Sequence, residues 1–314
     1  MKYYLGVDLG GTNIAVGIVN EKGEIVAKKS TKTLHDRGYE AIVSDMARLY
    51  RELLCENNIS EDDVVSAGIG APGSIDKEKG RVIYANNLNF FDTPLADELK
   101  KHINKPVFID NDANCAAWAE YMAGSSKGFS TSVMITLGTG VGSGVIIDGK
   151  LQGGFNFCGG ELGHTVIDVN GPLCTCGRKG CFEVFSSATG LINMTNEFAE
   201  KDKNSKLWKY TKDGKFNGRS AFLAAEEGDE TAKAVVKNYI KYLAVGVANI
   251  INIFQPEIFV IGGGVANEGD NLIMPLADEV FSQTYTNPNI VPMCDIVQAK
   301  LGNDAGIIGA ALLK

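Results

Sequence analysis

One structural plan is written twice along this chain, and nothing else in it constrains the fold as tightly. Residues 4–9 are an apolar strand, followed by the turn Gly10-Gly11-Thr12-Asn13 and a second apolar strand over residues 14–19. A polar turn, Asn20-Glu21-Lys22-Gly23, then leads to a third strand from Glu24. The plan returns at residues 133–137, with the glycine turn Gly138-Thr139-Gly140-Val141-Gly142-Ser143-Gly144, a strand at 145–147, a turn at Asp148-Gly149 and a strand at Leu151. Apolar runs this short, each ended by turn residues, are strand signals. Their recurrence predicts a duplicated α/β fold whose two glycine turns face one another across a cleft.

The intervening segments read as helices. Ile42, Val43, Met46, Leu49, Tyr50, Leu53 and Leu54 follow helical spacing within residues 39–56, and residues 112–123 form a second helix. Residues 232–254 are apolar on most faces, which predicts a buried helix spanning a domain. Further short strands are expected at 64–70, 107–109 and 258–261, and the polar stretch 201–217 is expected to be an exposed insertion. A last helix at 305–313 is expected to pack back on the first domain. The expected division is a smaller N-terminal domain of residues 1–115, joined by the C-terminal helix at about 303–314, and a larger domain of 116–302.

Composition narrows the partners. A chain of 314 residues, 45% hydrophobic and 22% charged, has the profile of a folded globular protein. Its net charge of −8 is spread without long single-sign runs, which argues against nucleic acid or an anionic membrane as the main partner. The N-terminus reads straight into a strand with no signal-peptide pattern, and no run is expected to reach transmembrane length; a cytoplasmic protein is expected.

Candidate chemistry sits at a few dense places. Cys174, Cys176 and Cys181 fall within eight positions, with Gly177 and Gly180 between them and His164 ten residues upstream. Four such donors suit a tetrahedral structural zinc; the alternative is three packed cysteines beside an unrelated histidine. Cys55, Cys115, Cys158 and Cys294 stand alone and read as small buried hydrophobes. The turns at Gly10-Gly11-Thr12-Asn13, at Gly138-Thr139-Gly140 and at Gly263-Gly264 each follow an apolar strand. Together they suggest a nucleotide cradle, the third turn lying against the adenosine, with Asp8 placed to orient magnesium. None fits the P-loop pattern. In Asp110-Asn111-Asp112-Ala113-Asn114, Asp112 reads equally as a helix cap or as a general base, with Asp110 and Asn114 as competitors. The polar loops at Gly70-Ala71-Pro72-Gly73 and Asn86-Asn87-Leu88 offer groups suited to sugar hydroxyls or simply to turns, and Glu161 and Glu183 offer further acceptors.

These motifs resemble the ROK sugar kinases, bacterial glucokinase-like members in particular, over essentially the whole chain. The resemblance rests on Cys174-x-Cys176-Gly177-x-x-Gly180-Cys181-x-Glu183 with His164 upstream, on Asp8-x-Gly10-Gly11-Thr12, on Leu137-Gly138-Thr139-Gly140-x-Gly142, and on Asn111-Asp112-Ala113-Asn114. It implies an actin-like ATPase (ribonuclease H-like) fold and ATP-dependent phosphorylation of a hexose, with Asp112 as the base at the sugar 6-hydroxyl. It further implies sugar contacts from Gly73, Asn87, Asn111, Asp112, Glu161, His164 and Glu183. Phosphate and magnesium would be held through Asp8, Gly10, Gly11, Thr12, Asn13, Gly138, Thr139, Gly140, Gly263 and Gly264. Zinc would be held by His164, Cys174, Cys176 and Cys181, and a homodimer is implied. Glucose is the leading substrate; N-acetylglucosamine, N-acetylmannosamine, fructose and allose are alternatives, and polyphosphate is an alternative donor. Family repressors carry a DNA-binding arm ahead of the first phosphate motif, which here begins at residue 8, so the enzyme form is expected. A sugar sensor and a chaperone-type ATPase of the same fold are the remaining readings.

Overall fold

The computed structural model describes residues 1–285 and 290–314. Contacts gather these into two units. One comprises Met1–Ser130, Gly144–Gly160 and Lys300–Lys314; the other comprises Thr131–Ser143 and Glu161–Ala299.

The first unit begins with β1 (Tyr3–Leu9), β2 (Asn13–Asn20), β3 (Ile25–Lys32) and α1 (Tyr39–Glu56). It continues with β4 (Val64–Ala71), β5 (Ser74–Asp76), β6 (Arg81–Ala85), β7 (Phe90–Thr93), α2 (Leu95–Lys100), β8 (Val107–Asn111) and α3 (Asp112–Ala123). Its main sheet runs β3-β2-β1-β4-β8; β1 pairs antiparallel with β2 and parallel with β4, and β4 pairs parallel with β8. Alternation decides which side is core. Leu5, Val7 and Leu9 of β1 and Ile14, Val16 and Ile18 of β2 are buried in one cluster with Ile42, Val43, Met46 and Leu53 of α1.

The second sheet follows the same order, β11-β10-β9-β12-β13. It is built from β9 (Ser132–Leu137), β10 (Val141–Ile147), β11 (Lys150–Leu151), β12 (Ile258–Gly262) and β13 (Asp295–Gln298). Here β12 pairs parallel with both β9 and β13, and β10 pairs antiparallel with β11. The helices are α4 (Phe182–Ser186), α5 (Ala188–Lys201), α6 (Ser220–Glu226), α7 (Glu230–Phe254) and α8 (Asp270–Gln283), and α9 (Ala305–Ala311) returns to the first unit. There α9 lies so close to the main sheet that a Cβ on Gly6 or Gly68 would strike the backbone of Ile307 or Ala310.

Several expectations change in detail. Strand β10 starts at Val141, so the second turn is only Gly138-Thr139-Gly140, and Gly142 and Gly144 are strand residues. Residues 116–130 group with the first unit because α3 packs on α9, with Trp118 Nε1 donating to the Leu312 carbonyl. The stretch 201–217 is largely exposed, as expected, but is anchored: Leu207 and Phe216 are buried, and Trp208 packs on the Phe216 ring. Of the four lone cysteines, Cys115 and Cys294 are buried, whereas Cys55 and Cys158 are exposed. Among the described residues α7, 25 residues long, does reach the length and apolarity of a membrane span, contrary to expectation. It is a core helix of the second unit: Tyr239, Leu243, Val247 and Ile251 along it are buried, and its Gly246 abuts the Phe182 ring.

Candidate active site

In the first unit the parallel register Asp8↔Gly70↔Asp110 brings the carboxyl ends of β1, β4 and β8 to one edge of the sheet. Open α/β sheets bind ligands at such an edge. The turn after β1 closes through Gly10 N donating to the Asn13 carbonyl (2.9 Å). Asn87, in a short helical turn pinned by buried Leu88, borders it: a Cβ on Gly11 would lie 3.2 Å from the Asn87 side-chain nitrogen.

At the end of β8 the structure separates the competing polar groups. Asn111, not Asp112, is the N-cap of α3: its Oδ1 accepts from Ala113 N (2.9 Å) and Asn114 N (3.3 Å). Its Nδ2 donates to the Gly73 carbonyl (3.1 Å), tying the helix start to a turn where Gly73 has φ +91°. Buried Asp110 is already engaged. Its Oδ1 accepts from Asn111 N and Asn114 Nδ2, both at 2.8 Å, and its Oδ2 lies 3.9 Å from Lys77 Nζ. Asp112 accepts from Ala113 N (2.8 Å), and burial raises its pKa above the ordinary carboxylate value. Burial, and then the Asp112 charge, push Asp8 up to about 6. The buried Cys115 thiol, pushed far up by burial and by these acids, is inert as a nucleophile.

The second unit carries the other polar cluster. Its glycine turn closes through Gly138 N to the Gly140 carbonyl (3.0 Å) and is held by α5: Ala188 N donates to the Gly138 carbonyl (2.8 Å) and Thr189 Oγ1 to the Thr139 carbonyl (2.7 Å). Glu183 sits on α4, which α7 fixes through Tyr239 Oη donating to the Ser186 carbonyl (2.6 Å) and a Phe185–Tyr242 ring stack at 4.3 Å. Its Oε2 accepts from Val141 N (2.9 Å), and a Cβ on Gly140 would run into this carboxylate. Glu161 precedes the short helical turn Leu162–His164, with His164 N bonded to the Glu161 carbonyl. At the third turn Gly263 has φ +83° and packs against the Leu137 backbone, while Gly264 has open space where a side chain would be.

His164, Cys174, Cys176 and Cys181 converge, with their ligand atoms all within 4.8 Å of one another. Cys174 Sγ is 3.7 Å from His164 Nδ1 and Cys176 Sγ is 3.6 Å from Cys181 Sγ. Two thiolates on one tetrahedral zinc lie about 3.8 Å apart, given zinc–sulfur bonds of about 2.3 Å, so the set fits a zinc ion. Positive φ at Gly177 (+86°) and Gly180 (+68°) makes the tight return possible. Glu183 Oε1 lies 3.7 Å from Cys174 Sγ, so this cluster and the candidate sugar carboxylate are neighbours.

Spacing alone singled out most of these groups but not their supports. Ala188 and Thr189 behind the second turn were missed; the cap signal at Ser187, whose side chain accepts from Gly190 N, marks that helix start. Lys77 was missed because a lone lysine in a polar loop carries no local signal.

Two sheets of matching strand order, each with a glycine turn after its first strand, define the actin-like ATPase (ribonuclease H-like) fold. The chain belongs to the ROK family, which it matches over residues 4–314. It is similar to the glucokinase of Thermotoga maritima, 40% identical over 98% of this chain and 95% of that one. The glucokinase of Halalkalibacterium halodurans is 38% identical over 99% of this chain and 94% of its own length. Among solved structures, a ROK family glucokinase from Streptomyces griseus in complex with glucose and AMPPNP superimposes with a TM-score of 0.83 at 32% identity, covering 98% of each chain.

Proposed function

We propose that the protein transfers the γ-phosphoryl group of ATP to the 6-hydroxyl of glucose. The observation that carries this reading is the pair Asp8 and Asp112, two carboxylates at one sheet edge beside a glycine turn, one of them unengaged enough to serve as a base. Full-length similarity to glucokinases supports the substrate.

On this reading Asp112 accepts the hydroxyl proton as the oxygen attacks phosphorus, and its raised pKa makes it a better base than an ordinary aspartate. Phosphoryl transfer asks mainly for alignment and charge neutralisation. The amides of the turns at Gly10-Gly11-Thr12-Asn13 and Gly138-Thr139-Gly140 would bind phosphate oxygens, and Gly263 and Gly264 would border the nucleoside. Gly73, Asn87, Asn111, Glu161, His164 and Glu183 would hold the sugar hydroxyls. No described residue donates a hydrogen bond to the Asp8 carboxylate, which suits a group that orients magnesium; bound there, the ion would neutralise phosphate charge. Zinc on His164, Cys174, Cys176 and Cys181 would supply structure rather than chemistry, fixing the His164 ring and the loop that leads to Glu183. The same reading makes the protein a cytoplasmic enzyme of carbohydrate breakdown and, by family resemblance, a homodimer, which light scattering would test.

The deciding experiment is a coupled ADP-release assay with magnesium ATP across glucose, mannose, fructose, allose, N-acetylglucosamine and N-acetylmannosamine. A clear preference for glucose is expected. Preference for an N-acetylated sugar would reassign the substrate, and turnover only with polyphosphate would reassign the donor. Zinc-loaded, folded protein with no sugar-dependent turnover would sink the kinase reading.

A further inference from the structure

Thr33 stands just beyond β3, has no place in the motifs above, and is completely buried. Its hydroxyl donates to the Gly10 carbonyl (2.6 Å) and its backbone N to the Thr12 carbonyl (2.9 Å). With Gly10 N already bonded to the Asn13 carbonyl, the carbonyls of residues 10, 12 and 13 are all engaged by protein donors. The amides of Gly11 and Thr12 donate to no described residue.

Thr33 is itself held from behind. Arg37 Nη2 donates to the Thr33 carbonyl (2.9 Å) and Arg37 Nε to the Leu34 carbonyl (3.3 Å). Arg37 is in turn fixed by Asp45 of α1 at 2.7 Å. Leu34 takes a left-handed conformation, φ +48° and ψ +60°, although its side chain is exposed and gains no burial for it. A branched-type side chain in that region costs energy and persists only where its surroundings impose it. Here it turns the chain so that Thr33 faces the glycine turn and Arg37 reaches back to hold it.

We propose that Thr33 is a positioning residue for nucleotide binding, acting through the backbone of the Gly10-Gly11-Thr12 turn. By taking up the inward carbonyls it fixes the peptide planes, and with them the direction of the amides left for phosphate oxygens. Arg37 and Asp45 complete the support. The inference rests on the reading of that turn as a phosphate site.

Titration calorimetry with magnesium ADP, together with KM values for ATP and glucose, tests it on Thr33→Val, Thr33→Ser and Arg37→Gln. Thr33→Val keeps the shape and loses the hydroxyl; magnesium ADP affinity should fall on the order of tenfold, with glucose KM unchanged. Thr33→Ser should bind as the parent does. Arg37→Gln, at an exposed position, should weaken magnesium ADP several-fold and decides the matter if Thr33→Val does not fold. Unchanged nucleotide affinity in Thr33→Val or Arg37→Gln, equal losses for sugar and nucleotide, or a serine variant as weak as the valine one would overturn the role of Thr33. A parent protein that binds no magnesium ADP would instead remove the phosphate reading on which it rests.

Discussion

Asp8 and Asp112 are held where water is scarce, and the Asp112 charge further discourages ionisation of Asp8, so both carry a cost in the folded protein. For Asp8 the sign is clear. Its folded pKa, about 6, lies above the ordinary value of 3.8, so its contribution favours folding below pH 3.8 and is lost as pH rises through about 6. Asp8→Asn without nucleotide should therefore melt above the parent at pH 8, by the equivalent of about 3 kcal/mol. That advantage should shrink as pH falls towards 5; a gap independent of pH would deny the shift. Asp112 is raised in the same direction, so with Asp112 as the proposed base the acid limb of kcat/KM should lie above the usual carboxylate range. Asp112→Asn should fold normally and keep its glucose KM, while kcat falls by roughly 10²–10⁴. Near-parental turnover would exclude Asp112 as the base.

Single elements carry these groups because their ends are pinned. The start of α3 is set by the Asn111 cap and the Asp110–Asn114 bond, which leave the Asp112 carboxylate to nearby backbone amides. The short helix α4 has only five residues and owes its position to α7 and to the cysteine loop before it. Burial pushes the Cys174 thiol up and the Cys181 thiol up to about 12, while the Arg178 backbone N–H draws Cys176 down. A divalent cation bound among them would supply the charge to hold all three as thiolates. Chelation should therefore speed hydrogen exchange across residues 161–183 and weaken glucose binding before magnesium ADP binding is affected. Equal loss of both, or of neither, would count against the metal loop as support for Glu183.

At the scale of the whole molecule, the first unit is assembled from three stretches of chain, and its last stretch is tied in by polar contacts, some of them buried. Glu120, fully buried at the end of α3, accepts from Ser125 N (2.6 Å) and, 181 positions on, from Leu301 N (2.7 Å). Trp118 bonds the Leu312 carbonyl, and Lys28 pairs with Asp304. Glu120→Ala would leave two amides without their acceptor, a loss of about 2–4 kcal/mol. It should lower the melting temperature while leaving zinc content unchanged; a silent substitution would show that α9 is held by its apolar face alone.

The repeated strand–turn–strand plan was legible in the sequence because burial on alternate residues and glycine at turns are local properties. Helices α1 and α3 begin and end where spacing placed them, at Tyr39–Glu56 and Asp112–Ala123. The four zinc-type donors were legible for the same reason, since three of them share one tight loop. What the sequence left open were choices between like groups. The resemblance favours Asp112 over Asp110, but the residues themselves do not separate the two; the Asn114 bond and the approach of Lys77 commit Asp110 and leave Asp112 available. The burial of Leu207 and Phe216, the close approach of α9 to Gly6 and Gly68, and the two bonds from Thr33 to the first glycine turn likewise join residues that local pattern cannot pair. Local periodicity set the elements; packing between distant stretches decided which polar groups were spent on the fold and which were left for chemistry.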